Sequence, residues 1–157
     1  MNTIEAIISS LENTPEILNS LLREIPEQNL KRSPREGKWS AHEHAVHIAE
    51  GHQLFFDRLN LMLSEENPPI KSWEPSSDDE SGGLLKVDLD AALNRYATDR
   101  KALVEKLKSL APEDWQRTAR HEDYADYSIF IMFRHFTLHD ALHAYRIEEV
   151  LQKKDWD

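Results

Sequence analysis

Apolar side chains recur along this chain in steps of three and four, and strand-like alternation is missing, so the sequence predicts an all-helical protein. The first stripe is Ile4, Ile7, Ile8, Leu11, Leu18, Leu21, Leu22 and Ile25, closed by Pro26. Thr14-Pro15 interrupts it. Threonine is a good N-cap and proline suits the first helical position, so the pair either kinks one helix or starts a second. Ser40 and Glu43 have capping-box spacing, with Trp39 just outside, and predict a helix over 40–65. A third helix is expected over 88–109, capped by Asp88 and striped by Leu89, Leu93, Tyr96, Arg100, Leu103, Val104 and Leu107. The last covers 128–153 and is rich in large apolar side chains.

The intervening segments read differently. Residues 66–87 hold Pro68-Pro69, Pro75, the acidic run Asp78-Asp79-Glu80 and Gly82-Gly83, the composition of a long connection that serves as a crossover or a lid, with the acidic run as a hydrated loop. Residues 112–127 form a polar linker. Four long helices in a single domain, taken as 1–157, give a four-helix bundle as the simplest architecture. Helices one and three are each followed by Pro-Glu, a polar linker and a serine opening a histidine-containing helix, a faint internal repeat.

Composition narrows the chemistry. Lys and Arg number 19 against 29 Asp and Glu, a net charge of −10, and no basic run offsets it, so nucleic acid and anionic membranes are disfavoured partners. Cysteine is absent, which removes disulfides, thiolate ligands and a cysteine nucleophile together. Met1-Asn2-Thr3-Ile4-Glu5 lacks the regions of a signal peptide and no apolar run approaches a membrane span, so residence in the cytoplasm is expected.

Eight histidines remain, and His135, His139 and His143 stand four apart on one helix face. At about 100° per residue, His139 and His143 share the apolar stripe with Met132, Phe136 and Val150, so both point into the bundle and need partners there. On the second helix His47, Gly51, Leu54, Arg58 and Leu61 form a strip unusually polar for a core. His47 is the best third metal ligand, and Gly51 beside it leaves room for a bound molecule. His44 is its rival but falls at the bundle rim, and His135 joins only if the ladder tilts. His42, His52 and His121 read as solvated surface residues, and Glu43 as a cap. The four tryptophans read as seals of bundle ends and loops.

The run Gly37-Lys38-Trp39-Ser40, then Glu43 and His47, and finally His139-Asp140-Ala141-Leu142-His143, resembles the DinB superfamily, also called the DinB/YfiT-like metalloenzymes. The likeness extends over nearly the whole chain, including Thr14-Pro15 and Pro26-Glu27. It implies a bundle with a long crossover between helices two and three, frequent homodimerisation, and a divalent metal, Zn or Ni foremost and Fe as a further option, on His47, His139 and His143. Glu50 stands where the family commonly has aspartate, and Tyr145-Arg146-Ile147 where a Gly-Gln-Ile-like segment is usual. Relatives that use low-molecular-weight thiols such as bacillithiol or mycothiol extend the expectation to a metal-dependent thiol S-transferase, beside a hydrolase, acting on a small molecule. Three imidazoles leave an ion an open coordination position, the arrangement of catalytic sites. Glu50 is then a candidate to orient a ligand or take a proton, and Arg58 to bind a substrate carboxylate or phosphate. The alternative is a non-catalytic helical-bundle stress or interaction protein with a structural metal or none.

Overall fold

A computed structural model describes residues 3–72 and 82–156. Helix α1 (Ile4–Glu24) starts at Thr3, whose Oγ1 accepts the Ala6 amide, and passes through Thr14-Pro15 as one helix. Pro15 has no N–H to give the Leu11 carbonyl. That carbonyl instead accepts Arg100 Nη1 at 3.2 Å, while Thr14 Oγ1 donates to the Ser10 carbonyl at 2.9 Å. Helix α2 (Ala41–Ser64) opens on the expected capping box: Ser40 Oγ accepts the Glu43 amide and the Glu43 carboxylate accepts the Ser40 amide. Asp88 caps α3 (Leu89–Lys108) and Ser128 caps α4 (Ile129–Leu151) in the same manner.

The pairings fix helix directions. Glu50 meets Arg95 and Asn60 meets Lys106, so α2 and α3 run parallel. His44 meets His143 and His47 meets His139, so α4 runs against α2. Leu18 and Leu22 cluster with Ala92 and Tyr96, whereas Ile7 and Leu11 cluster with Leu103 and Leu107, so α1 runs against α3. Helix α1 packs on α3 and α4, as does α2, which puts each antiparallel pair, α1 with α2 and α3 with α4, on a diagonal. The repeat seen in the sequence therefore corresponds to two like helix pairs. Parallel α2 and α3 require a connection spanning the bundle, and His42 Nε2 meets the Leu84 carbonyl at 3.1 Å, back at the end where α2 began.

Two short strands depart from the all-helical expectation. Strand β1 (Pro69–Ile70) in the crossover pairs in parallel with β2 (Arg120–His121) in the α3–α4 linker. Two residues are too few to show alternation, so the sequence carries no signal for them. Their pairing ties the crossover to the linker and fixes His121, Tyr124 and Tyr127 over one flank of α2. The acidic run at 78–80 lies outside the described residues.

Two apolar clusters fill the bundle ends, one holding Ile7, Leu59, Trp115 and Phe133, the other Leu18, Ile48, Tyr96 and Ile147. Each fully buried aliphatic or aromatic side chain contributes roughly 1.5–3 kcal/mol. Between them lies a polar layer containing Arg100, Asp140 and His52, all 2% exposed or less. Among the described residues no helix is long and apolar enough to cross a membrane.

Candidate metal centre

The antiparallel packing of α2 against α4 brings His47, His139 and His143 together, with one ring nitrogen from each lying within 4.8 Å of the others. His47 Nε2 and His139 Nε2 share a hydrogen bond at 3.0 Å, and His44 Nδ1 and His143 Nδ1 share another at 2.8 Å. Each contact needs one protonated and one bare nitrogen. Two imidazoles bound to a tetrahedral cation at ~2.05 Å have their nitrogens about 3.3 Å apart, close to the His47–His139 separation. The donor set therefore fits a divalent ion that prefers nitrogen.

Trp39 covers the cluster from the N-terminal end of α2, with its ring 4.9 Å from that of His47 and stacked 6.0 Å from that of His143. Trp39 thus does more than seal the bundle end, and its place just before the capping Ser40 is the sequence signal that sets it at the His47 end of α2. His44 belongs to the same cluster through His143 and Trp39 instead of standing apart at the rim. Burial, reinforced by neighbouring imidazoles and by Arg146, pushes His143 down to about 2 and His44 down to about 4. Both rings are thus neutral at pH 7, the state that offers a lone pair to a metal.

A second group supports the first. Asp140 is 1% exposed, and its Oδ2 accepts Arg100 Nη1 at 2.8 Å. Its Oδ1 stands 3.7 Å from His139 Nδ1, and both atoms are buried without a hydrogen bond among the described residues. A ring that gives Nε2 to a cation carries its proton on Nδ1, where a carboxylate favours it. The signals in the sequence were a charged residue inside the α3 stripe, Arg100, and an acid next to His139.

Several expected roles change. Glu50 is half-exposed and its carboxylate is taken by Arg95 of α3, so it does not face the imidazoles. His42 and His52 are not surface residues: each is 2% exposed, His42 against the Leu84 carbonyl and His52 accepting Arg100 Nε at 3.4 Å. Their helix face meets α3 and the returning crossover, which local periodicity does not reveal. His121 is packed between Tyr124 and Tyr127, 4.6 Å from each ring, and is likewise no free surface residue. His135 is exposed and stays out of the three-histidine group.

A cavity of about 200 Å³ opens beside the cluster, with His47 and His139 on one wall and Arg58, His121, Tyr127 and His135 on others. Gly51 lines it, and a Cβ there would meet nothing within 4 Å, so the space extends over this face of α2. Arg58 reaches over it, donating from Nη2 to the Lys71 carbonyl at 2.7 Å and from Nη1 to Tyr127 Oη at 3.3 Å.

The model of the DinB superfamily matches residues 10–147. A protein of Oceanobacillus iheyensis, named as a candidate metal-dependent hydrolase, is 28% identical over 95% of this chain and 86% of its own length. One from Bacillus cereus with the same description is 24% identical over 98% of this chain and 88% of its own. Among solved structures, YfiT from Bacillus subtilis, described as a candidate metal-dependent hydrolase with an unusual four-helix-bundle topology, superposes with a TM-score of 0.82 at 20% identity, covering 96% of this chain and 86% of that one.

Proposed function

This chain belongs to the DinB superfamily, and from that premise we propose that it is a divalent-metal-dependent hydrolase of small molecules, with His47, His139 and His143 as the metal ligands. The observation that carries the reading is the convergence of three imidazole nitrogens within 4.8 Å at the wall of a cavity. The names of the relatives support the same class. His47, His139 and His143 would hold the divalent cation, which would supply Lewis acidity for hydrolysis near neutral pH. The chain's own residues prepare the place. Trp39 limits rotation of His47 and His143 and shields their rings from water. Asp140, held by Arg100, keeps the proton of His139 on Nδ1. In the overall reaction one water adds across an acyl bond and yields an acid and an alcohol or amine.

Transfer to a low-molecular-weight thiol is the second reading. The observation on its side is the lack of cysteine, so that any thiol must come from outside the chain. The first test is metal content by plasma mass spectrometry on untagged protein, beside a His47→Ala/His139→Ala variant. About one equivalent in the parent and almost none in the variant supports the reading, and ester or amide cleavage with and without added thiol then separates the two reactions. A parent that neither carries nor takes up Zn²⁺ or Ni²⁺ overturns it in favour of a non-catalytic bundle.

A further inference from the structure

The cavity beside the imidazoles has a chemistry of its own at its far end. Arg58 is half-buried there, and both its hydrogen bonds go to neutral oxygens, the Lys71 carbonyl and the Tyr127 hydroxyl. Among the described residues no carboxylate lies within 4.0 Å of its guanidinium. Glu122 accepts the Ser72 amide, and Asp123, which lines the same cavity, accepts the Ser72 hydroxyl, so neither is ion-paired with Arg58. The guanidinium therefore faces the cavity without a paired carboxylate, in a protein whose net charge is −10. His121 on the same wall is pushed down, mainly by burial and next by the Arg58 charge.

The walls between this charge and the histidines are apolar and aromatic. Leu54 and Phe55 come from α2, and Tyr124 lies parallel to Tyr127 with ring centres 6.0 Å apart. Eleven residues of helix separate His47 from Arg58, about 16 Å along the axis. Helical side chains start out tilted toward the N-terminus, so the Arg58 fork and the imidazole nitrogens lie roughly 10–16 Å apart.

We propose that Arg58 is the specificity-determining residue of this cavity and receives the oxyanion of a small organic acid whose apolar or aromatic body lies along Leu54, Phe55 and Tyr124. A planar guanidinium with unused donors matches a carboxylate or phosphate by paired hydrogen bonds. The substrate class is thus a monoanion with its head group at Arg58 and its hydrolysable bond at the histidines. The inference rests on the hydrolase reading for the second half of that statement only; recognition of the anion stands apart from it.

The test is calorimetric titration of the full chain, as purified and after chelator treatment, with 3-phenylpropionate, phenyl phosphate and the uncharged 3-phenylpropanamide. At least one anion is expected to bind the parent tenfold or more tightly than the amide, and the tighter of the two identifies the head group. Arg58→Gln should bring anion affinity down to that of the amide, while the preference of the parent for anion over amide should survive chelator treatment. Equal affinity for anion and amide, an unaffected Arg58→Gln variant, or a preference lost on chelation alone overturns the proposal. Should Arg58→Gln melt early, the Nε–Hε resonance of Arg58 in the unaltered chain is followed during the same titrations, and an unmoved signal has the same force. Anion binding without metal uptake would sink the hydrolase reading alone, and metal uptake without anion binding would sink this one alone.

Discussion

Two polar clusters sit within a few ångströms of each other in this bundle and have opposite characters. In the first, Arg100 is paired with Asp140, both 1% exposed, and is further held by the Leu11 carbonyl, His52 and the faces of Tyr96 and Phe136. Its charges balance, and both side chains are buried. In the second, imidazoles face imidazoles, His47 with His139 and His44 with His143, at the edge of an open cavity. A balanced and buried cluster specifies packing. A set of neutral bases beside a cavity is suited to a cation from outside. His139 stands between the two, its Nδ1 3.7 Å from the Asp140 carboxylate of the rigid cluster.

The sharpest way to break the comparison is to unbalance the buried pair. Asp140→Ala should lose about 3–5 kcal/mol in urea unfolding, because it strands the Arg100 charge in the core. Arg100→Met/Asp140→Leu should recover most of that loss. His143→Ala should cost far less in the absence of metal, and if it equals Asp140→Ala the two clusters do not differ in kind.

Acid probes the same boundary. His52 faces Arg100, Asp99, Asp140 and Tyr96, and burial with the Arg100 charge lowers it to about 4. Its ordinary value in the unfolded chain is 6.5. Between those values only the unfolded chain binds the proton, so stability is full above pH 6.5, falls as pH drops toward 4, and levels off below. The contribution is roughly 3 kcal/mol. His52→Asn should remove that share of the slope in chelated protein and leave the part that belongs to His44 and His143.

Zinc should act on the open cluster only. At a free concentration one hundred times Kd it adds ~2.7 kcal/mol, which raises the melting temperature by roughly 5–10 °C in a chain of this size. The rise should disappear in His47→Ala/His139→Ala and persist in Arg58→Gln. The smallest effect is at the entrance to α2, where Ser40→Ala removes a cap that also seats Trp39 beside the histidines. It should cost about 1 kcal/mol in denaturant unfolding.

The four helices were legible because their signals are local. Ser40, Asp88 and Ser128 cap within three residues, and the stripes needed no knowledge of partners. The inward direction of His47, His139 and His143 and their grouping followed from the same arithmetic, and the resemblance pointed to the same three. What the neighbours do was not legible. Glu50 lies one turn from His47, yet Arg95, forty-five residues later, claims its carboxylate. His42 and His52 looked like surface residues until the crossover and α3 closed over them. The wall carrying Tyr124 and Tyr127 depends on a strand pair two residues long.

The sequence by itself thus determined the helices, their caps and the histidine faces, since backbone hydrogen bonding and side-chain period act over a few residues. Only the tertiary structure decided which charges are neutralised. It gave Asp140 to Arg100 and left Arg58 facing the cavity, because ion pairing depends on segments that meet across the bundle and not on their spacing along the chain.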